Sequence, residues 1–314
     1  MFERIAIIVA SGLIIYFKAL RLGFVSDDIP SIAPKINPFH KRLLNQFSNT
    51  PKYDRDNIAF PRLITILLHI AVCVFIYLGL GRDTASFIAG LLFLINPVNN
   101  QGSIWLSGRV GYVLPTLLLL MAMTFWWVSP VFIYLAMLKA TAFVSPVAFI
   151  GSDKWWFFLI AIPIWIFGAK KFKSQVLVKQ KGESVAKDLT FHPRKLILGV
   201  KTFCYYFYLC VIPHKITFYH SFMQSGAGAG NDLMSKRAYA KDKWFWGGIA
   251  ILSSWWVYCL FRWDGLSWGV WWFMVCIAPF TNIIRVQQEI AERYVYMANV
   301  GLMYSVAYFL CKIL

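Results

Sequence analysis

FPRLITILLHIAVCVFIYLGL, residues 60–80, decides the fold. Beyond Arg62 the run holds no charged side chain, and its length is close to the roughly twenty helical residues that match the hydrocarbon of a bilayer. Working outward, similar apolar runs begin near Ile5, Thr84, Tyr112, Pro130, Trp155, Leu196, Trp244, Leu266 and Tyr294. The pattern predicts an all-α, polytopic membrane protein of about ten transmembrane helices in one domain over residues 1–314. Composition agrees. Of 314 residues, 59% are hydrophobic and 14% charged, and the mean hydropathy of +0.59 excludes an ordinary soluble domain.

Lys and Arg number 31 against 14 Asp and Glu, a formal charge of +17. The basic residues sit between apolar runs, so positive-inside sorting and lipid phosphates account for them and nucleic acid is excluded as a partner. KKFKSQVLVKQKGESVAKDLTFHPRK, residues 170–195, has eight basic and two acidic side chains and is predicted to be cytoplasmic. Counting outward puts both termini in the cytoplasm, with 82–84 and 261–265 as inner turns. Segments 23–57, 96–109, 213–243 and 285–293 then fall together on the extracytoplasmic face. Only Glu3 and Arg4 charge the start of the first run, and no small-residue cleavage site follows it, so it is expected to remain as a helix. The six cysteines lie in apolar segments without metal-ligand spacing and read as packing residues.

Nearly all the chemistry-bearing motifs lie on the predicted outer face. FVSDDIP, residues 24–30, sets Asp27 and Asp28 just beyond the first helix. Successive side chains of an extended backbone alternate, so one carboxylate can act as a general base while the other orients a neighbour. Helix capping at a membrane exit is the plainer alternative. NPVNNQGSIWLSGR, residues 96–109, breaks its helix at Asn96 and Pro97 and ends on Arg109, a fixed cation suited to a phosphate. Its alternative is an arginine snorkelling to headgroups. Within this stretch Asn96, Asn99 and Gln101 can hydrogen-bond a sugar or acceptor, and Trp105 and Tyr112 flank Arg109 as stacking surfaces.

IIRVQQEIAERYVYM, residues 283–297, carries Arg285, Glu289, Glu292 and Arg293. On one helix, fourfold spacing would pair Arg285 with Glu289 and Glu289 with Arg293, aligning two guanidiniums. That ladder alone is the structural alternative. SGAGAG, residues 225–230, reads as a loop tip rather than a phosphate cradle. His69 falls inside an apolar helix, and no histidine pair has zinc-like spacing, so no metal ligand is assigned.

In order, FVSDD, FPRLITILLHIAVCVFIYLGL, LLFLINPVNNQGSIWLSGR and IAPFTNIIRVQQEIAERYVYM resemble the membrane domain of the transmembrane and tetratricopeptide-repeat O-mannosyltransferases and their prokaryotic relatives, a branch of the GT-C glycosyltransferases. Pro97, Gly108, Arg109, Glu292, Arg293 and Tyr294 fall at the family's spacing. The resemblance implies an enzyme that moves a monosaccharide, mannose in those relatives, from a polyprenyl-phosphate carrier to an acceptor hydroxyl on a protein, glycan or lipid. It implies Asp27 or Asp28 as base, Arg109, Arg293 and Arg285 as donor-phosphate contacts, and Asn96, Asn99, Gln101, Trp105 and Glu292 around the sugar and acceptor. No cofactor or metal is expected. The membrane is that of a bacterial cytoplasm, or the endoplasmic reticulum of a eukaryote, with the active site outside the cytosol. Two departures stand out. Amides replace the His and Glu that relatives often carry in the second motif, and no tetratricopeptide stretch follows the last helix, so acceptor choice is expected to fall to the chain's own loops or a partner. A lipid-carrier flippase or small-solute transporter, and a non-catalytic membrane scaffold, are the alternative functions.

Overall fold

A computed structural model describes residues 1–22, 32–33, 53–54, 58–106, 108–167, 193–213, 239–283 and 290–314. It is helical throughout, apart from a two-residue parallel pairing of Ile32–Ala33 with Tyr53–Asp54. The helices are α1 (Phe2–Tyr16), α2 (Ala59–Gly79), α3 (Thr84–Ile95), α4 (Asn100–Ser103), α5 (Leu114–Thr124) and α6 (Ser129–Met137). Then come α7 (Trp156–Phe167), α8 (Arg194–Val211), α9 (Lys243–Phe261), α10 (Gly265–Ile277) and α11 (Tyr296–Ile313).

A helix begins close to every predicted apolar run, but the count of about ten membrane spans does not hold. Among the described residues three helical stretches are long and apolar enough to cross a bilayer: Ala59–Gly79, Lys243–Phe261 and Glu292–Ile313. A fourth is reached only if Arg109–Thr124 and Trp126–Met137, which meet at 120°, count as one broken span. The cause is local. Pro130 and Pro146 start new short helices, Asn96 and Pro97 end α3, and each interruption cuts a long apolar run below spanning length.

Packing centres on α11, which lies against α10 and α3, with α2 between α1, α3 and α5, and α8 against α9. GLSWG opens α10 with two glycines four apart, and Gly301 and Ser305 of α11 face it. A Cβ on Gly269 would run into Ser305 Oγ and the Gly301 carbonyl, so the two backbones touch as small-residue membrane pairs do. Lys201, fully buried on α8, bridges Asp242 at 2.9 Å, and Asp242 also caps α9 through the amides of Trp244 and Phe245. The six cysteines are free thiols.

Residues 143–151 are mostly a 3-10 turn, whose carbonyls an α-helix would otherwise satisfy. Indoles bond four of them: Trp165 donates to Phe143 O, Trp271 to Val147 O, which also accepts the Ile150 amide, Trp268 to Ala148 O and Trp263 to Gly151 O. Gly151 takes φ +83°, and a side chain there would strike the Trp263 ring.

The turn into α10 is a capping box. Asp264 Oδ1 accepts from the amides of Leu266 and Ser267, Ser267 Oγ accepts from the Asp264 amide, and Tyr258 donates to Asp264 Oδ2 at 2.9 Å. Burial alone would raise the carboxyl, but the hydrogen bonds from Tyr258 and from the Ser267 and Leu266 amides together hold it below the ordinary aspartate value. A depressed pKa adds stability that is present above the unfolded value and lost as pH falls through the folded one. Asp264→Ala is therefore expected to lower stability by about 1 kcal/mol at pH 7. Its thermal midpoint should converge on that of wild type as pH drops below about 4, the unfolded aspartate value. Parallel unfolding curves at all pH values would contradict this.

Candidate functional site

Two segments far apart in sequence, 96–109 and 290–296, meet at the end of α11 that opens with Tyr296. Asn96 stops α3 by turning extended, and its Oδ1 accepts from the Val98 amide. A 3-10 turn (Pro97–Asn99), α4, and a π-turn (Arg109–Val113) follow, the last leading straight into α5. π-turns inside helical stretches mark functional sites more often than chance. Opposite, Ala291 is extended and Glu292–Val295 form a 3-10 turn before α11. Ala291 thus interrupts any helix running into Arg293, and the Glu289 of the predicted ladder lies outside the described residues.

Arg293 binds by both its backbone and its side chain. Its amide donates to Gln101 Oε1 at 3.2 Å, and its guanidinium lies 4.9 Å above the Trp105 ring and 5.1 Å from that of Tyr294. Tyr294 in turn stacks on Phe280 at 4.4 Å and tilts against Tyr112 at 6.2 Å. Trp105 thus also supports Arg293. Glu292 is fully buried beside Arg293, within electrostatic reach of Tyr205 and Cys210 on α8.

Arg109 is fully buried, which rules out snorkelling to headgroups. Its Nη1 donates to Pro61 O at 3.0 Å and to Thr65 Oγ1 at 3.3 Å, at the start of α2. Arg62, also buried, reaches back from α2 to Ile104 O at 2.8 Å. Two guanidiniums cross-stitch one junction, and sequence reading assigned no part to Arg62. Its signal was an arginine in the first turn of an apolar helix, a position that water rarely leaves unexplained.

The amides mostly face the protein. Asn96 Nδ2 donates to Cys210 O at 2.8 Å, Asn99 Nδ2 donates to Phe93 O at 2.8 Å, and Asn99 Oδ1 accepts from Asn299 at 3.1 Å. Gln101 is the amide joined directly to the charged turn. Asp27, Asp28, Arg285 and Glu289 lie outside the described residues, as do the SGAGAG stretch and most of the predicted loops 23–57, 170–195 and 213–243. Among the described residues, no group of three or more His, Cys, Asp or Glu side chains converges.

One unforeseen network adjoins this site. His69, midway along α2 and fully buried, is bonded at both ring nitrogens: Nδ1 to the Tyr296 hydroxyl at 2.6 Å and Nε2 to that of Tyr16 at 3.2 Å. Tyr16 donates onward to Leu94 O at 3.1 Å.

Fold and site together define an all-helical protein with membrane-length helices and a buried, arginine-rich junction. Compared with known proteins, the chain matches no family model, no curated protein and no solved structure.

Proposed function

We propose that this protein is a membrane glycosyltransferase that transfers a monosaccharide from a polyprenyl-phosphate carrier to an acceptor hydroxyl at the extracytoplasmic face. The observation that carries the reading is a convergence: the buried guanidiniums of Arg62, Arg109 and Arg293 gather with Gln101 and Trp105 where 96–109 meets 290–296, beside apolar helices. Guanidiniums suit a phosphate, and a polyprenyl phosphate joins that anion to a tail that belongs between apolar helices. Arg62 from α2 and Arg109 from the opposite segment brace the junction, and in this reading Arg293, on its aromatic bed, is the leading phosphate contact beside Arg109 and Arg285.

In this reading the acceptor oxygen attacks the anomeric carbon as Asp27 or Asp28 takes its proton. The new carbon–oxygen bond forms while the bond to the carrier phosphate breaks, with inversion, and the phosphate leaves with both electrons. Fixed cations stabilise that developing charge. Gln101, Trp105 and Glu292 line the approach of the sugar and acceptor, while Asn96 and Asn99 hold the backbone that presents them.

The test is transfer from a panel of labelled polyprenyl-phosphate sugars in proteoliposomes. Asp27→Asn and Asp28→Asn should differ in severity, and the variant that loses the base should slow turnover by about a hundredfold or more while retaining donor binding. Wild-type rates in both would remove the carboxylates from the mechanism.

A second reading, a lipid-carrier flippase or small-solute transporter, draws on the 120° break between α5 and α6, since discontinuous helices line many transport sites. A non-catalytic scaffold draws on the amides that face the protein. Absence of turnover with every donor would favour one of these, and movement of an unmodified carrier across the bilayer would select the transporter.

A further inference from the structure

The His69 network is closed in a way that fixes its protons. A tyrosine hydroxyl carries one hydrogen, and that of Tyr16 goes to Leu94 O. The Tyr16 oxygen is therefore an acceptor toward His69, so Nε2 carries the ring proton. Nδ1 then has a lone pair to accept the Tyr296 hydroxyl at 2.6 Å. The titratable groups around the ring are Tyr16, Tyr296 and Cys73, with Phe93 against its face. The Tyr16 hydroxyl ends on the Leu94 carbonyl with the Ser103 side chain beside it, so the arrangement ties α1, α2 and the 96–109 segment together.

Tyr296 is where this tie meets the site. It stands three residues beyond Arg293, its hydroxyl is held by α2, and its ring lies on Gly102 so closely that a Cβ there would enter it. Gly102 adjoins Gln101, whose Oε1 holds the Arg293 amide. From this continuous path we infer that His69 is a positioning residue. As a neutral, Nε2-protonated imidazole it holds Tyr296 against Gly102 and thereby sets the register of the Arg293 turn on the 96–109 segment. The consequence for donor phosphate rests on the glycosyltransferase reading, but the geometry of the tie does not.

The experiment uses the full chain in nanodiscs. Nitrogen NMR of ¹⁵N-histidine protein at neutral pH, with the His69 signal assigned by its loss in His69→Asn, should show a neutral ring protonated at Nε2. An imidazolium or an Nδ1-protonated ring overturns the inference. Hydrogen exchange then compares two single-hydroxyl deletions that touch opposite ring nitrogens. Tyr296→Phe should speed exchange of the Ala291 and Arg293 amides by about tenfold, the scale of one lost buried hydrogen bond, and Tyr16→Phe should leave both amides unchanged. Equal acceleration in the two variants, or none in either, would mark an ordinary core contact and also overturn it. With an active donor, Tyr296→Phe should raise the donor KM more than it lowers kcat. If the NMR and exchange results hold and no donor is turned over, the positioning role stands and the glycosyltransferase reading fails.

Discussion

Arg293→Ala is expected to weaken transfer by about 2–4 kcal/mol in transition-state stabilisation, with the loss appearing in the dependence on donor and sparing the acceptor. The departing phosphate carries the largest developing charge in the proposed reaction, and Arg293 is the cation whose backbone and ring partners both lie in the 96–105 segment or the adjoining aromatic cluster. Arg293→Lys should also be impaired. An ammonium keeps the charge and part of the attraction to the Trp105 face, but it cannot present two parallel N–H groups to one anion. Steady-state transfer with donor and acceptor varied separately decides the matter. Unchanged donor dependence in the Lys variant would reject the phosphate assignment. Arg109→Lys should also lower stability, since its guanidinium ties the Pro61 carbonyl and Thr65 at the start of α2.

Gly301→Val should cost about 3 kcal/mol, the upper end of what overpacking a close interface usually exacts. A Cβ at this position would collide with the Gly269 carbonyl and approach Trp272 Cβ at 2.6 Å, and neither neighbour is the free end of a flexible side chain. Relief requires α10 and α11 to separate, which opens the most extensive helix pairing among the described residues. Thermal unfolding in detergent and the yield of monodisperse protein measure the effect. Gly111→Ala supplies the contrast, because among the described residues nothing lies within 4 Å of the added atom there, and it should melt with wild type. A Gly301→Val variant that melts with wild type would mean that the two helices are not held this closely.

The apolar run at 60–80 announces α2, and the Arg82–Asp83 and Arg262–Asp264 turns are legible because an aspartate caps each following helix. Span number was not legible. Hydropathy registers that a stretch is apolar but not whether its helix is long enough to cross, so the runs from Tyr112 and Pro130 counted as two spans, and the second ran through the 3-10 turn at 145–149 although Pro146 stood in view. The meeting of 96–109 with 290–296 could be anticipated only from motif order. Arg109 shows the limit: its residue type suits a phosphate, but its ties to Pro61 and Thr65 on α2 could not be read from local sequence. His69 was visible as a polar group in an apolar helix, but its partners are 53 and 227 residues away, beyond the reach of any local pattern.

The indole clamp over residues 143–151 bears on what can pass through this protein. In transporters, unwound backbone at membrane depth serves a travelling ion because its carbonyl oxygens are presented to the pathway. Here Phe143, Val147, Ala148 and Gly151 direct those oxygens to tryptophans. Each of these four oxygens already spends a lone pair on an indole, so the tryptophans set the direction in which this interrupted backbone points.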